Sequence, residues 1–376
     1  MTRLALLGIA ALVACGPKSP PHRDEGMPWA SAGIDWDTPP AVKPTPLATP
    51  SIDQATLANG MRVFVVANPR LPIVTATAYV TRAGGRDDGA TPGVAALTAQ
   101  VLDELAHQGE LNDVDVIESS GMSLDTTVAT DFASFQITGG DAALAIDALG
   151  RLLQKPVLAD AIIARVRDRH VGELAERRRR DRTIAAQVFD RVLFGDHPYG
   201  HPAEGTDTDA LKLTASDVIR FWHDAYGPDA TTIVLAGNVS KRDIATLEAT
   251  FAGWTKHTVA RPQVAKLPAY KRTLAVVDRP GAEQAVVLVG GLGPATAAPD
   301  RLAADVANAV LGGGIGSRLD RRLHDELAVT LGAGSSFWRG EWAGTWAVAT
   351  TFRTERAAEG LRATLDVIES ARTTPM

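Results

Sequence analysis

The order of strand and helix patterns along the chain places the strongest limit on its fold. A β-branched run follows the turn sequence Asn59-Gly60, which predicts a hairpin over Thr56–Val66. Apolar and β-branched runs predict further strands, and amphipathic spacing predicts helices between them. The predicted strands are Val74–Val80, Met122–Val128, Phe132–Ile137 and Thr231–Gly237, and the predicted helices are Val94–Leu105, Asp141–Leu153, Ala161–Arg180 and Ala215–Tyr226. This order predicts an α+β fold in which helices cover one face of a mixed or antiparallel sheet.

A second, shorter unit follows a polar, proline-containing segment. The chain has 376 residues, more than one hydrophobic core usually serves, so two domains are expected. Strand patterns at Leu274–Val277 and Gln284–Val289 precede a helical pattern at Leu302–Leu311, which weakly repeats the order of the first unit. We therefore predict a shortened homologous second domain that is incomplete. The predicted boundaries are 51–255 for the N-terminal domain, 256–271 for the linker and 272–376 for the C-terminal domain.

An incomplete second domain has a consequence for partners. One face of the predicted helix carries Leu302, Val306 and Val310. This apolar face would remain in contact with water unless another subunit covered it. We expect a partner subunit for that reason.

Residues 1–15 have the features of an export signal that ends at a lipidation site. Arg3 precedes the apolar run Leu4–Ala14, which is too short to cross a bilayer as a helix. The run ends in Leu-Val-Ala-Cys15-Gly16, which resembles the bacterial lipobox, where the cysteine is lipidated and becomes the mature N-terminus. Cys15 is the only cysteine in the chain, which excludes an intramolecular disulfide and a cysteine-ligated zinc site. The alternative is an ordinary secretory signal with an incidental cysteine.

The segment 16–50 is rich in proline and small polar residues, which predicts an extended tether between the anchor and the folded body. Gly16 after the cysteine resembles lipoproteins sent to the outer membrane. We therefore expect a lipid-anchored protein of the cell envelope that faces the periplasm. The formal net charge of -6 argues against nucleic acid as a partner, because that partner needs concentrated positive charge.

Several short motifs occur in one order over the body of the chain, from about residue 55 to 370. They are Leu57-Ala-Asn-Gly-Met-Arg-Val63, Ala83-Gly-Gly-Arg-Asp87, Thr91-Pro-Gly-Val-Ala95, His197-Pro-Tyr-Gly200, Gly205-Thr206 and Asn308-Ala-Val-Leu-Gly-Gly-Gly-Ile-Gly-Ser-Arg-Leu319. In this order they resemble the insulinase/pitrilysin family of zinc metalloproteases, which includes the mitochondrial processing peptidases. The resemblance implies an insulinase-type fold in which two halves form a clam-like chamber around an extended peptide.

The resemblance also implies a zinc site whose residues are missing here. Family members hold zinc with His-x-x-Glu-His on the first helix, where two imidazoles share a face and the glutamate activates water. The corresponding positions are Ala96, Ala99 and Gln100. The third family ligand, a glutamate on a later helix, corresponds to Glu176. One residual carboxylate cannot hold zinc, so we expect no metal and no other cofactor, whereas active family members use zinc.

A second pair of family residues is also replaced. The resemblance implies an arginine and a tyrosine, seven residues apart in the second domain, that hold substrate; here these positions are His324 and Leu331. We therefore predict a catalytically degenerate member with no catalytic residues, which binds extended peptides or pairs with an active family subunit or with itself. Two alternatives stay open: an active zinc metalloendopeptidase with other ligands, and an envelope scaffold protein.

Three further features have plain structural interpretations. His197 and His201, with Glu204 nearby, have the residue types of a loop metal site, but the proline and glycine between them favour a structural turn. The loop Gly312–Ser317 lacks the lysine of a phosphate-binding loop, so a packing role is preferred. The run Arg177–Arg180 alternates with acidic neighbours, which favours a solvated helical face over a membrane-binding surface.

Overall fold

The computed structural model describes residues 50–107, 117, 120–255, 264–269 and 271–374. The predictions for Cys15, for nearly all of the tether and for most of the linker at 256–271 lie outside these residues. Residues 50–376 form one compact unit that contains two β-sheets. The assignment of these sheets to separate domains stays a prediction.

The larger sheet has six strands in the order β1-β2-β6-β3-β5-β4. Only β2 and β6 are parallel, and every other pair is antiparallel, so the sheet is mixed as predicted. The strands are β1 (Asp53–Thr56), β2 (Arg62–Ala67), β3 (Val74–Val80), β4 (Ser123–Val128), β5 (Ala133–Gly139) and β6 (Thr231–Gly237). The first hairpin turns at Gly60, whose φ of 89° lies in the left-handed region that favours glycine. The α+β fold predicted from the sequence is confirmed.

Among the described residues, six helices of nine or more residues accompany this sheet. They are α1 (Val94–His107), α2 (Ala142–Gln154), α3 (Asp160–Arg177), α4 (Asp181–Phe194), α5 (Ala215–Ala225) and α6 (Asp243–Phe251). The single long helix predicted over Ala161–Arg180 is wrong at its C-terminal end, because α3 stops at Arg177 and α4 begins at Asp181. Successive arginines repel one another on a helix, whereas Asp181 is favourable in the first turn of a new one.

The main core lies between this sheet and helices α1 and α2. Val63 on β2 and Ile233 on β6 are fully buried, as are Leu97 on α1 and Ile146 on α2. Burying each of these side chains stabilises the fold by roughly 1.5–3 kcal/mol. One face of the sheet is therefore covered by helices, and α1 packs over the β5-β4 end of the sheet.

The smaller sheet has three antiparallel strands in the order β7-β9-β8. Its elements are β7 (Gln284–Gly293), α7 (Arg301–Gly312), a short helical segment over Arg318–Glu326, β8 (Ala333–Arg339), β9 (Gly344–Arg353) and α8 (Ala357–Thr373). The predictions of a strand at Gln284–Val289 and a helix at Leu302–Leu311 are confirmed. The predicted strand at Leu274–Val277 is wrong, because no described strand pairs with this segment.

Candidate functional site

The candidate site lies on α1, whose N-terminus is fixed by a buried carboxylate. Asp88 accepts hydrogen bonds from the backbone N–H groups of Gly93, at 2.6 Å, and Ala95, at 2.8 Å. These groups belong to the first turn of a helix, where backbone donors otherwise have no partner. The loop that carries Asp88 therefore sets the position of α1 and of the motif residues on it.

The family motif positions on α1 carry two methyl groups and one amide. Ala96 and Ala99 are buried. The Nε2 amide of Gln100 lies 2.9 Å from Nδ1 of His170 on α3, and Nε2 of His170 lies 3.0 Å from the carbonyl oxygen of Glu204. A carbonyl oxygen only accepts hydrogen bonds, so Nε2 of His170 donates and Nδ1 accepts from the amide. His170 is consequently neutral and carries its proton on Nε2.

Burial maintains the neutral state of His170. The side chain is 1% exposed. Removal from water lowers the pKa of His170 below its ordinary value, because the low-polarity surroundings disfavour the imidazolium. Oε1 of Gln100 is also buried and has no hydrogen-bond partner among the described residues.

These residues do not fit a zinc ion. Ala96 and Ala99 offer no donor atom, and an amide is a poor ligand compared with imidazole or carboxylate. His170 alone could coordinate, yet a structural or catalytic zinc takes three or four protein ligands. Across the described ranges, no group of three histidine, cysteine, aspartate or glutamate side chains is placed to hold a metal.

Glu176, the residual family ligand position, lies on the exposed side of α3. Its carboxylate is 3.4 Å from the guanidinium of Arg179. The α3 residue that contacts Gln100 is His170, which sequence reasoning missed. A signal was present, since His170 continues the buried stripe of Ile162, Val166 and Leu174 at four-residue spacing. A histidine on such a stripe needs hydrogen-bond partners from neighbouring elements.

The two positions of the family substrate pair lie in the second half of the chain. His324 is in the short helical segment, 3.8 Å from Asp325. Leu331 lies in the loop before β8 and is 96% exposed. A side chain of this type can make apolar contacts but cannot polarise a carbonyl group.

Two of the family-like motifs meet in a cluster that we call the clasp, formed by Arg86, Asp131, Tyr199, Glu341 and Trp342. Nη1 of Arg86 lies 2.9 Å from Asp131 and 2.7 Å from Glu341, and its guanidinium lies 4.5 Å above the Trp342 ring. The Tyr199 hydroxyl donates to Asp131 at 2.6 Å and accepts from the backbone N–H of Trp342 at 3.1 Å. The clasp joins the turn between β8 and β9 to the six-stranded part of the molecule.

The histidines near the clasp are engaged in structure. Nδ1 of His197 accepts the backbone N–H of Tyr199 at 3.1 Å, and its ring packs against Phe194. Glu204 pairs with Arg177 at 3.1 Å. His201 lies 3.1 Å from the carbonyl oxygen of Pro202. Within the described residues, His197, His201 and Glu204 therefore do not form a group that could hold a metal ion.

The glycine-rich segment begins at Gly312, the C-terminal residue of α7, which is placed by close packing. A Cβ atom on Gly312 would lie 2.3 Å from Oγ of Ser335, so only glycine fits without a shift. Asn308, one turn earlier, donates to the Ser335 carbonyl at 2.9 Å and accepts from Trp346 Nε1 at 2.7 Å. The motif thus ties α7 to β8 and β9.

The basic run is largely paired with acidic groups. Arg177 contacts Glu204, Arg178 contacts Asp207 at 3.1 Å, and Arg179 contacts Glu176.

Within the described ranges, no helix has the length and apolar character needed to cross a membrane.

The chain is similar to one protein-family model and to several known proteins. The family model described as the peptidase M16 inactive domain matches residues 212–376. An uncharacterized zinc protease of Mycobacterium tuberculosis is 26% identical over 334 residues, covering 86% of this chain and 76% of the relative. The human cytochrome b-c1 complex subunit 1 is 25% identical over 203 residues, covering 52% of this chain and 42% of that protein.

A solved structure has the same fold. The crystal structure of a peptidase M16 inactive domain from Pseudomonas fluorescens superimposes with a TM-score of 0.81 at 23% identity, covering 87% of this chain and 80% of that one. The match to an inactive domain fits a member without catalytic activity. The chain therefore carries a domain of the peptidase M16 inactive type over residues 212–376, and over most of its length it is similar to bacterial zinc proteases and shares the fold of M16 structures.

Proposed function

We propose that the chain is a non-catalytic M16-family subunit of the cell envelope, which binds extended peptides or completes a dimer with an active family member. The observation that carries this proposal is the bond between Gln100 and His170 at the family's metal position. The neighbouring motif positions, Ala96 and Ala99, carry no donor or base. Activation of water by a zinc-bound site requires both ligands and a general base, and these side chains supply neither.

A peptide-binding role needs none of the replaced residues. An extended peptide can add to the free edge of a sheet through backbone hydrogen bonds. The outer strands of the larger sheet are β1 and β4. Thr126 on β4 donates to Asp103 on α1 at 2.7 Å, so this edge lies beside the motif helix. We propose β4 as the edge that receives the peptide.

A partner role is supported by exposed apolar surface and by the relatives. Leu302, Val306 and Val310 on α7 are exposed along one side of the helix. The human relative is by its name one subunit of the cytochrome b-c1 complex. An active M16 peptidase of the same envelope is the partner that we propose.

Attachment to the envelope is proposed from the leader sequence. Cys15 would carry the lipid, and Gly16 at the next position supports an outer-membrane destination facing the periplasm. Replacing Cys15 by serine should release the chain into the soluble periplasmic fraction without changing its fold. Retention of this variant in the membrane fraction would contradict the anchor.

The functional test uses the chain from Gly16 onward and a fluorescein-labelled extended peptide of alternating valine and threonine residues. We expect a rise in fluorescence anisotropy that a chelator does not change, with no cleavage products by mass spectrometry. A peptide of the same composition interrupted by prolines is the control, because proline cannot donate to a sheet ladder. Chelator-sensitive cleavage would contradict the non-catalytic role, and equal affinity for both peptides would contradict edge binding.

A further inference from the structure

A third carboxylate, that of Asp87, lies beside the clasp. Nη1 of Arg86 contacts Asp131 at 2.9 Å and Glu341 at 2.7 Å. Nε of the same guanidinium lies 3.8 Å from Asp87. Three formal negative charges thus surround one formal positive charge. The side chains of Arg86 and Asp87 are almost completely buried, so water and salt screen this imbalance less than at an exposed site.

These charges belong to two parts of the molecule. Arg86 and Asp87 lie in the short segment Gly85–Asp87 after β3, and Asp131 lies in the turn between β4 and β5. These three residues form the receiving side of the clasp, which carries one net negative charge. Glu341 lies in the turn between β8 and β9 of the smaller sheet. It therefore brings a second negative charge to a side that is already negative, and like charges repel.

Asp87 is the carboxylate with the weakest compensation. Its side chain is 8% exposed, whereas those of Asp131 and Glu341 are 17% and 64% exposed. It accepts the backbone N–H of Gly84 at a long 3.3 Å. Asp131 instead accepts from the guanidinium, from the Tyr199 hydroxyl and from the backbone N–H of Glu341. A buried carboxylate with few donors favours its neutral form, so Asp87 takes up a proton most readily in this cluster.

The pKa of Asp87 agrees with this geometry. Burial raises this pKa to about 6, the Arg86 cation opposes the rise, and the charges of Asp131 and Glu341 add to it. Because Glu341 contributes only when it is docked, the pKa of Asp87 is higher in the closed clasp than in an open one. Asp88, the next residue, changes charge at higher pH, since burial raises its pKa to about 8.

We propose that the clasp is a proton-dependent latch, in which a proton on Asp87 removes the net charge of the receiving side and tightens its hold on the β8–β9 turn. With Asp87 neutral, the charges of Arg86 and Asp131 cancel, and Glu341 docks without net repulsion. Because the pKa of Asp87 is raised on closure, closure is favoured as pH falls through about 6 and is weakened as pH rises through it. The attachment of the smaller sheet is thereby linked to the pH of the medium. This inference does not depend on the proposed function.

Two backbone amides report directly on the latch. The N–H of Glu341 donates to Asp131 at 2.7 Å, and the N–H of Trp342 donates to the Tyr199 hydroxyl at 3.1 Å. Opening of the clasp breaks both bonds and lets these amides exchange with solvent. Their hydrogen exchange can be measured by NMR on the chain from Gly16 onward. Comparison with the exchange rate of an unstructured peptide at each pH gives a protection factor, which measures closure.

We expect the protection factors of both amides to rise by roughly threefold to tenfold from pH 7 to pH 5, tenfold being the limit for one proton with a closed-state pKa of about 6. Asp87→Asn keeps an acceptor for the Gly84 N–H but has no charge. Its protection at pH 7 should equal that of the wild type at pH 5 and should not change with pH. Asp190→Asn is the matched control, because burial also raises the pKa of Asp190 to about 6 but this residue lies on α4. It should keep the wild-type profile.

Glu341→Gln provides a second test, which stays informative if Asp87→Asn does not fold. It removes the charge that Asp87 repels, so the rise in protection between pH 7 and pH 5 should be smaller than in the wild type. Circular dichroism of each variant checks that the fold is intact. Wild-type protection that does not rise on acidification would overturn the latch. So would a wild-type pH dependence in Asp87→Asn or in Glu341→Gln.

Discussion

Gln100 on α1 donates its side-chain amide to Nδ1 of His170 on α3 across 2.9 Å. The other ring nitrogen of His170 donates to the carbonyl oxygen of Glu204. The position at which the family holds zinc is thus spanned by a hydrogen-bonded chain between two helices and a loop. In this protein the motif helix serves to tie the fold together.

This geometry leads to a gain-of-metal experiment. Ala96→His/Gln100→His would place two imidazoles four residues apart on α1, facing Nδ1 of His170. Metal-ligating histidines usually donate their second ring N–H to a carbonyl or carboxylate, which His170 already does through Glu204. We expect the double variant to bind about one zinc per chain by isothermal titration, as a three-histidine site does.

Ala96→His alone is the control for this experiment. It leaves Gln100 bonded to His170 and supplies too few ligands. If the single variant bound as much zinc as the double variant, the side chains at positions 96, 100 and 170 would not converge on one metal ion.

The pH dependence of stability follows from His170. Burial lowers the pKa of His170 in the folded state, so the unfolded chain binds a proton more readily than the folded one. The stability contribution of the neutral ring is fully present above the ordinary pKa near 6.5 and is lost as pH falls below it. We expect the His170 ring to lower the free energy of unfolding by up to about 1.4 kcal/mol per pH unit in this range, in opposition to Asp87 and Asp190, whose pKa values burial raises to about 6.

Urea denaturation between neutral and mildly acidic pH measures this slope. His170→Gln should be less stable at neutral pH, because the ring contacts are lost, but it should lack the loss of stability that protonation of the ring causes as pH falls. His223→Gln removes a histidine whose side chain is mostly exposed and is the control. A slope in His170→Gln equal to that of the wild type would assign the acid sensitivity to another group.

The clasp should contribute measurably to stability. Tyr199→Phe removes the hydroxyl that donates to Asp131 and accepts from the backbone N–H of Trp342. Each of these two groups then loses one hydrogen-bond partner. We expect a loss of roughly 1–3 kcal/mol in the free energy of unfolding, measured by chemical denaturation.

Tyr79→Phe is the matched control for the clasp. Tyr79 packs edge-on against Phe132, and its hydroxyl has no hydrogen-bond partner within the described ranges. This variant should stay within about 0.5 kcal/mol of the wild type. Equal losses for both variants would mean that the Tyr199 hydroxyl bonds have no net effect on stability.

Close packing at the C-terminal end of α7 predicts a second stability difference. Gly312→Ala would force a Cβ atom to within 2.3 Å of Ser335 Oγ, so we expect destabilisation of about 1–3 kcal/mol. Gly332→Ala, where nothing lies within 4 Å of the added atom, is the control and should be nearly neutral. Thermal unfolding of both variants measures the difference. A Gly312→Ala variant as stable as the wild type would show that α7 can move away from β8 without loss of stability.

Local pattern was sufficient to predict much of the first sheet. The strands Val74–Val80 and Thr231–Gly237 have the predicted bounds, because both are compact runs of strand-forming residues between turns. Strands β8 and β9 were not predicted, since glycine, serine, alanine and threonine interrupt their apolar pattern. Strand propensity also failed at Leu274–Val277, where no described partner strand is present.

The site was less accessible to sequence reasoning. The replaced motif residues Ala96, Ala99 and Gln100 could be identified by position, but the His170 contact depends on packing between α1 and α3. The clasp joins Tyr199 to Trp342, 143 residues apart, through backbone and hydroxyl groups. Side chains bonded to distant backbone atoms leave no local periodic signal.

The central claim is that this chain cannot hold the family's catalytic zinc. Elemental analysis of the chain from Gly16 onward, purified in the presence of zinc and assayed for peptide cleavage on the same sample, tests it directly. We predict zinc far below one equivalent per chain and no cleavage sensitive to a chelator. Near-stoichiometric zinc together with chelator-sensitive cleavage would contradict the account and require ligands outside the Gln100–His170 site.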